Sequence, residues 1–555
     1  MKNNKNIGKL KMKAGVLLVV WLLIAVAVSG VLGGTVTNTD IKTVTSDSDM
    51  IIDYQNGSIT AHNITVLEQI LFNGTTPRWI NDSSDSKDTL ISNSNGKYWS
   101  ATQDNLQDAI DDAGAGGEVI LPDTMLECYN AIWINSSLNN FTISTLGNGT
   151  LKAMTDFSTH GYALIYIRAN DVTIDGITFN GNQLANVTEG LCSGIFIADT
   201  RRLTVKNCYF HNTTSYAIEV YRLNDSLITH NTFRNLGNFT NNDIFGGGIR
   251  FESGEYGCFN NTISYNLFDH IQEHAIKMYA TTDDAGKMHR NRILYNTFRS
   301  TGDIFIGAGY TGVIQMFSEG DSAIGNTLTV ENWAEGGIMV DGDNNTVSGN
   351  TIMMKPGNED GRYAISLIAG ATHNIVTNNE VRGYTTSQDT GIYLIGGNKH
   401  NLVSGNQLHI LEYPFRLRDD SASLTEWNII TNNVCSGDKI WLQAGVVRDN
   451  LIQGNDFTNC TNGVVISSSG SNIFKDNIGY TTESSGLCTV LDDSTSIVVS
   501  HNMSIAPTYI TASPRDNMTS ATFWYIDTVT STQFTLHVND DVTADVSFYW
   551  KAEYN

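Results

Sequence analysis

Glu219, Arg250 and Lys277 occupy the same place in three copies of one short pattern: AIEV (217–220), GIRF (248–251) and AIKM (275–278). Each copy alternates, so Ile218, Ile249 and Ile276 face one way and the charged residues the other. Glu252 lies two residues beyond Arg250, at the next outward position. Carboxylates grouped with a guanidinium and an ammonium can move protons on a bound chain, or can hold an anionic one. One strand over and two residues along, Glu219 and Glu252 would stand about 8 Å apart, a loose fit to an inverting carboxylate pair. The same charges on neighbouring strands can also simply pair, at about 0–1 kcal/mol each.

The column that holds these charges extends both ways. Tyr166 and Phe196 precede it, Gln315 and Met339 follow, and Tyr393, Arg416 and Trp441 stand further on. A second outward column carries Tyr221, Glu252, Tyr279, Phe317 and Asp341. Rings beside hydrogen-bonding groups suit a sugar, which offers C–H groups to stack and hydroxyls to bond. Aromatic residues also populate strands by propensity alone.

The elements that must position these residues recur along the chain. A segment of the type ITHNTF (228–233) returns as ISYNLF (263–268), VSGNTI (347–352), VSGNQL (403–408) and IQGNDF (452–457). Its asparagine stands at 231, 266, 296, 326, 350, 379, 406, 433, 455, 477 and 502, at intervals of 22 to 35 residues. One such unit cannot bury its own apolar face, whereas stacked units bury a continuous core. The pattern predicts an all-β solenoid, a parallel β-helix, with coils about 4.8 Å apart. Its repeated asparagine is expected at a sharp turn, taking the left-handed backbone and bonding the same amide one coil up.

These units resemble the right-handed parallel β-helix repeats of the pectin-lyase-like superfamily, including NosD-type repeat proteins. DNLQDAIDDAGAGGEVILP (104–122) resembles the cap helix and first strand of such proteins, with Leu106, Ala109, Ile110 and Ala113 on one helical face. The resemblance covers roughly 98–504 and is specific for fold and not for function, because this fold carries lyases, hydrolases, epimerases and plain binding or structural proteins. For a lyase it implies a Lys or Arg base, here Lys277 or Arg250, and a calcium held by Glu219 and Glu252. The polygalacturonase pattern is missing, since no G-H-G occurs and the N-T-D at 38–40 lies outside the repeats. NosD-type copper handling lacks clustered Met/His ligands, and His270 and His274 have a helical metal spacing that a β-coil does not honour. An insertion, TTDDAGKMHRNR (281–292), offers Asp283, Asp284 and His289 at the rim of the groove, or a solvated loop.

Composition sets the context. With 33 basic and 57 acidic residues the net charge is −24, which excludes a phosphate-backbone binder. Lys2 to Lys13 precede an uncharged apolar run from Ala14 to about Gly34. That run reads as an export signal cleaved near Ala27-Val28-Ser29, as a retained membrane anchor, or as a pilin-like segment cut near Lys13-Ala14-Gly15. Glycosylation sequons, such as those at Asn135, Asn148 and Asn212, accord weakly with export. Seven cysteines without a C-x-x-C read mainly as small buried thiols. Residues 35–97 read as a stalk or small β-element and 505–555 as a C-terminal antiparallel β-domain that caps the solenoid or joins copies into oligomers. The expected protein is an exported or surface-attached β-helix that binds polysaccharide as an adhesin or envelope component. A calcium-assisted lyase or a glycoside hydrolase is the alternative, and a filament or sheath subunit the third reading.

Overall fold

The computed structural model describes residues 50–53, 58–61, 90–154, 163–182, 192–237, 246–253, 257–280, 288–301, 312–330, 336–356, 362–384, 389–419, 424–443, 446–468, 470–518 and 520–554. The apolar run at 14–34 and Asp283 and Asp284 lie outside them. No helix among the described residues is long and apolar enough to cross a membrane.

The described chain winds as a parallel β-helix with three faces. Face one runs from Ile132–Ile134 through Ile218–Val220, Ile249–Ser253 and Ile276–Ala280 to Tyr413–Arg418. Face two runs from Glu118–Leu121 to Ile473–Lys475, each strand hydrogen-bonded to its counterpart one coil away. Face three carries strands such as Tyr209–His211 and Thr232–Leu236, and joins face one where the late strands Val434–Leu442 and Asp456–Ile466 run on around the corner. Alternation puts the predicted isoleucines inside, where Ile218, Ile249, Ile276, Ile314 and Ile338 are fully buried. Face three adds an internal phenylalanine stack, Phe179–Phe210–Phe233–Phe268–Phe298, with centroids 4.6–4.9 Å apart.

Asparagine side chains hold both corners of face two. From Asn231 to Asn477 each amide Nδ2 donates to the next Oδ1 at 2.9–3.1 Å. The same Oδ1 also accepts the backbone N–H of the preceding asparagine, as Asn266 does from Asn231. A second ladder, five residues upstream, joins Asn374, Asn401, Asn428, Asn450 and Asn472 at 2.9–3.1 Å. The left-handed residue is not the ladder asparagine, as expected, but the one before it: His230, Tyr265, Tyr295, Asn378, Asn432 and Asp476 all have φ between 53° and 56°. The turn therefore splits its two demands between neighbours, one strained backbone and one bonded amide.

Both ends are closed. Helix α1 (Gln103–Ala113), capped by Thr102, buries Leu106, Ala109 and Ile110 on the first coil. Its Gln107 bonds both backbone groups of Trp133, accepting at 2.8 Å and donating at 3.1 Å, and so satisfies the open strand edge. At the far end Tyr480 and Tyr554 close on Phe474. The solenoid unit begins at 90, eight residues before the expected 98, because the hairpin Leu90–Asn93/Tyr98–Ser100 joins face two. It also ends early: Glu483–Val490 and Ser496–Ser500 pair antiparallel with C-terminal strands. The C-terminal β-domain therefore starts near 483, not 505, and Asn502 belongs to it rather than to a ladder. All seven cysteines are free, six of them buried, and burial pushes the thiols of Cys128, Cys192, Cys208 and Cys258 up to about 12.

One ladder position departs from asparagine. Asp321 accepts from Asn291 at 2.7 Å and from Ser318 Oγ at 2.5 Å, but it has no amide to donate onward. Burial raises its carboxyl to about 6. Because the folded chain holds this proton more tightly than the unfolded one, its contribution favours folding at low pH and is lost as pH rises from about 4 to 6. Asp321→Asn is expected to stabilise the protein by about 1–3 kcal/mol at pH 7 and to abolish that decline. Urea denaturation of both proteins from pH 3 to 7 measures both effects.

Candidate functional site

The predicted outward column exists, in register, on face one. Trp133, Tyr166, Phe196, Glu219, Arg250, Lys277, Gln315, Met339, Ser366, Tyr393, Arg416 and Trp441 are successive strand partners. Its exposure is not uniform. Gln315, Met339, Ser366 and Tyr393 are buried, and Met339 and Tyr393 form a small outer cluster with Ile368 and Ile395, against Phe317 and Tyr363. Tyr393 and Phe317, expected as exposed binding residues, belong to that cluster instead. Two separate groups remain on the surface.

The first group begins at the cap helix. Trp133, which composition and pattern had not singled out, stacks on Tyr166 at 4.5 Å. Tyr166 packs at a tilt against Phe196, with centroids 5.0 Å apart, and Phe196 likewise against Tyr221 at 5.4 Å. Tyr166 is nearly buried within the run, so Trp133 and Tyr221 present most of the exposed ring surface. Tyr279 is a third exposed ring, 5.7 Å from the Lys277 ammonium.

The rings lead directly into the charges. Arg250 donates to Glu252 at 2.8 Å and lies 3.6 Å from Glu219, so one guanidinium stands between the two carboxylates. The guanidinium takes the place between them that a cation would need, which does not fit a calcium held by Glu219 and Glu252. Among the described residues no three His, Cys, Asp or Glu side chains come together to hold a metal. Lys277 lies 3.6 Å from Glu273, whose other oxygen accepts from the Tyr216 hydroxyl at 2.7 Å. His274 places Nε2 3.1 Å from Glu273 and Nδ1 2.7 Å from the Gly312 carbonyl. Arg250 also lies 5.6 Å from the Tyr216 ring centre. Tyr216 and Glu273 were missed as site residues, and His274 was weighed only as a metal ligand, because all three precede their strands and carry no periodic signal.

The two inner carboxylates are tuned in opposite directions. Burial pushes the Glu219 carboxyl up, against the pull of Arg250 and Ser193. Burial also opposes ionisation of Glu273, but His274, Lys277 and Tyr216 outweigh it and hold this carboxyl at about 2. Burial, then the adjacent Glu273, lifts the Tyr216 phenol well above its ordinary range. Opposed carboxyls on one face are the arrangement that separates a proton donor from an acceptor.

The second group is cationic and aromatic. The Arg416 guanidinium lies 5.1, 5.5 and 5.0 Å from the rings of Tyr393, Tyr413 and Trp441, and it bonds Gln443 Oε1 at 2.6 and 2.9 Å. Of the insertion residues, His289 is no loop residue. It pairs in a short strand, Met288–His289, and stacks on Phe259 at 5.5 Å. His270 bonds Asp269 at the surface while His274 is buried, so the two histidines serve different partners.

Residues 124–285 match a family model described as a right handed beta helix region. No curated protein matches the chain. Among solved structures, an alginate lyase from Paenibacillus sp. str. FPU-7 is 17% identical, over 51% of this chain and 93% of that one, with a TM-score of 0.40. A mutant tailspike protein of E. coli bacteriophage HK620, in complex with a pentasaccharide, is 11% identical over 82% of this chain and 90% of its own, with a TM-score of 0.47. A tailspike protein from Pseudomonas phage LKA1 is 12% identical over 81% and 92%, with a TM-score of 0.45.

Because the Glu273 carboxyl is lower in the folded chain than in the unfolded one, it stabilises the fold above about pH 4.5. That contribution is lost as pH falls toward 2. Glu273→Gln is expected to flatten this acid limb and to lower stability at pH 7, as read by thermal unfolding between pH 2 and 7.

Proposed function

We propose that this protein is an exported, surface-located β-helix that binds polysaccharide along face one, from Trp133 to Lys277. The observation that carries the reading is the continuity of the packed row of rings Trp133, Tyr166, Phe196 and Tyr221 with the charged cluster of Glu219, Arg250, Glu252 and Lys277. Rings of this kind offer flat apolar surface for sugar C–H groups at low entropic cost, since their stacking already holds them. Arg250 and Lys277 supply donors that suit hydroxyls and uronate carboxylates, and Glu219 and Glu252 supply acceptors. Arg416 and Trp441, further along the same face, provide a second contact for a long chain.

A second reading, cleavage of the bound glycan, is favoured by one observation: the raised Glu219 and the lowered Glu273 on the same face. In a hydrolase Glu219 would take the part of the acid, delivering a proton to the leaving oxygen, while an ionised carboxylate activates water.

Affinity electrophoresis against neutral and acidic polysaccharides tests the first reading. Wild type is expected to be retarded by at least one glycan, with about a tenfold or greater loss in Trp133→Ala and in Arg250→Ala, each corresponding to about 1.4 kcal/mol or more. Retardation unchanged in both variants, or absent with every glycan, overturns it. Reducing ends that accumulate with wild type and not with Glu219→Gln would establish the second reading.

A further inference from the structure

The outer surface of face two changes character part-way along the solenoid. From Thr142 to Thr346 its first outward column is threonine or serine in all but two coils, which carry Leu227 and Arg292. From the next coil it becomes Ile375, Leu402, Ile429, Leu451 and Ile473, five strand partners in unbroken register. Ile375, Ile429 and Ile473 are 40%, 42% and 55% exposed. Threonine serves this column upstream, so strand propensity does not require the switch.

The corner beside this stripe changes over the first three of these coils. His373, His400 and Trp427 take the left-handed position, with φ of 56–58°, where Asp, Asn, Gly or Arg stands in the other coils from Asn140 to Asp449. Bulky residues adopt this backbone at a cost of about 1–2 kcal/mol each. The three rings stack on one another at 5.0 and 5.1 Å, and Trp427 is 45% exposed. The result is an apolar band about 19 Å long, four coil steps of about 4.8 Å, bordered by a ring stack. On its other side the second outward column is polar: Thr377, Ser404, Thr431, Gln453 and Lys475. An apolar centre with a polar rim is the anatomy of a protein interface.

We infer that this stripe is where two copies of the chain pair side by side. A partner must offer apolar groups in a straight line at the coil period over five coils, and the same stripe on a second copy does so. The order Ile, Leu, Ile, Leu, Ile is symmetric about Ile429, as a two-fold contact allows: Ile375 can meet Ile473, and Leu402 can meet Leu451. Charge does not oppose the approach, although each chain carries −24 overall. Lys399 pairs with Glu426 at 2.8 Å and Arg448 with Glu426 at 2.9 Å, which leaves Lys475, at the far end of the polar column, as a single positive charge beside the stripe. The stripe is separate from the Trp133–Lys277 surface on face one, so pairing would leave that surface open.

Sedimentation velocity on the full chain tests the pairing, using wild type, Ile429→Lys, Ile375→Lys and, as a control in the polar part of the column, Thr346→Lys. Wild type and Thr346→Lys are expected to sediment as dimers. Either stripe variant should raise the dissociation constant about a hundredfold or more with an unchanged melting temperature. An Ile429→Cys, Cys488→Ser chain should also form an oxidised dimer that Cys488→Ser alone, with its six buried thiols, does not. A monomeric wild type overturns the inference. So does association that survives both stripe substitutions, as it would if the copies were joined through the N-terminal apolar segment instead.

Discussion

From the coil of Asn231 onward, the outward side chains of this solenoid are placed by hydrogen bonds between asparagines stacked coil upon coil inside it. A buried amide left without partners costs about 1–3 kcal/mol, so each coil must bring its asparagine to the place where the neighbouring amides can satisfy it. That requirement holds coils of 22 to 35 residues to one pitch and one register. The variation in length is passed to the loops. With the corners pinned, strand alternation decides the rest: an isoleucine inside, and a ring or charge outside at the same height on the next coil. The alignment of Glu219, Arg250 and Lys277 follows from that registration and not from any motif local to them.

The first ladder was legible because its asparagine recurs within a conserved-looking hexad. The second was just as present, five residues upstream, in NTISYN (261–266), NTVSGN (345–350) and NLIQGN (450–455), but a single repeated position drew the reading. The left-handed turn was legible in kind and misplaced by one residue, because His230, Tyr265 and Tyr295 are poor sequence signals for that backbone. VVSHNM (498–503) imitates the repeat, yet its strand pairs antiparallel with Gln533–Val538, a tertiary choice that local pattern does not disclose. The charged column was readable from alternation alone. Tyr216, Glu273 and His274 were not, since they reach the cluster from the turns before their strands.

The two surfaces of the molecule use the same scaffold in different ways. Face one spends its outward positions on rings and ion pairs, where burial and neighbouring charge tune Glu219 and Glu273 apart. Face two spends them on threonine and then on aliphatic groups, where no titration is involved. Both ends of the solenoid are sealed by elements of other types, helix α1 and the C-terminal β-domain, which prevents edge-to-edge growth along the axis. Lateral contact between copies and recognition along a groove therefore remain compatible.

The central claim is that a glycan lies along face one between Trp133 and Lys277. The most direct test is a crystal structure of the protein with an oligosaccharide from the glycan it retains. The account predicts sugar rings against Trp133 and Tyr221, with polar groups of the glycan at Arg250 and Lys277. A sugar bound only elsewhere, with the face-one rings bare, would contradict it.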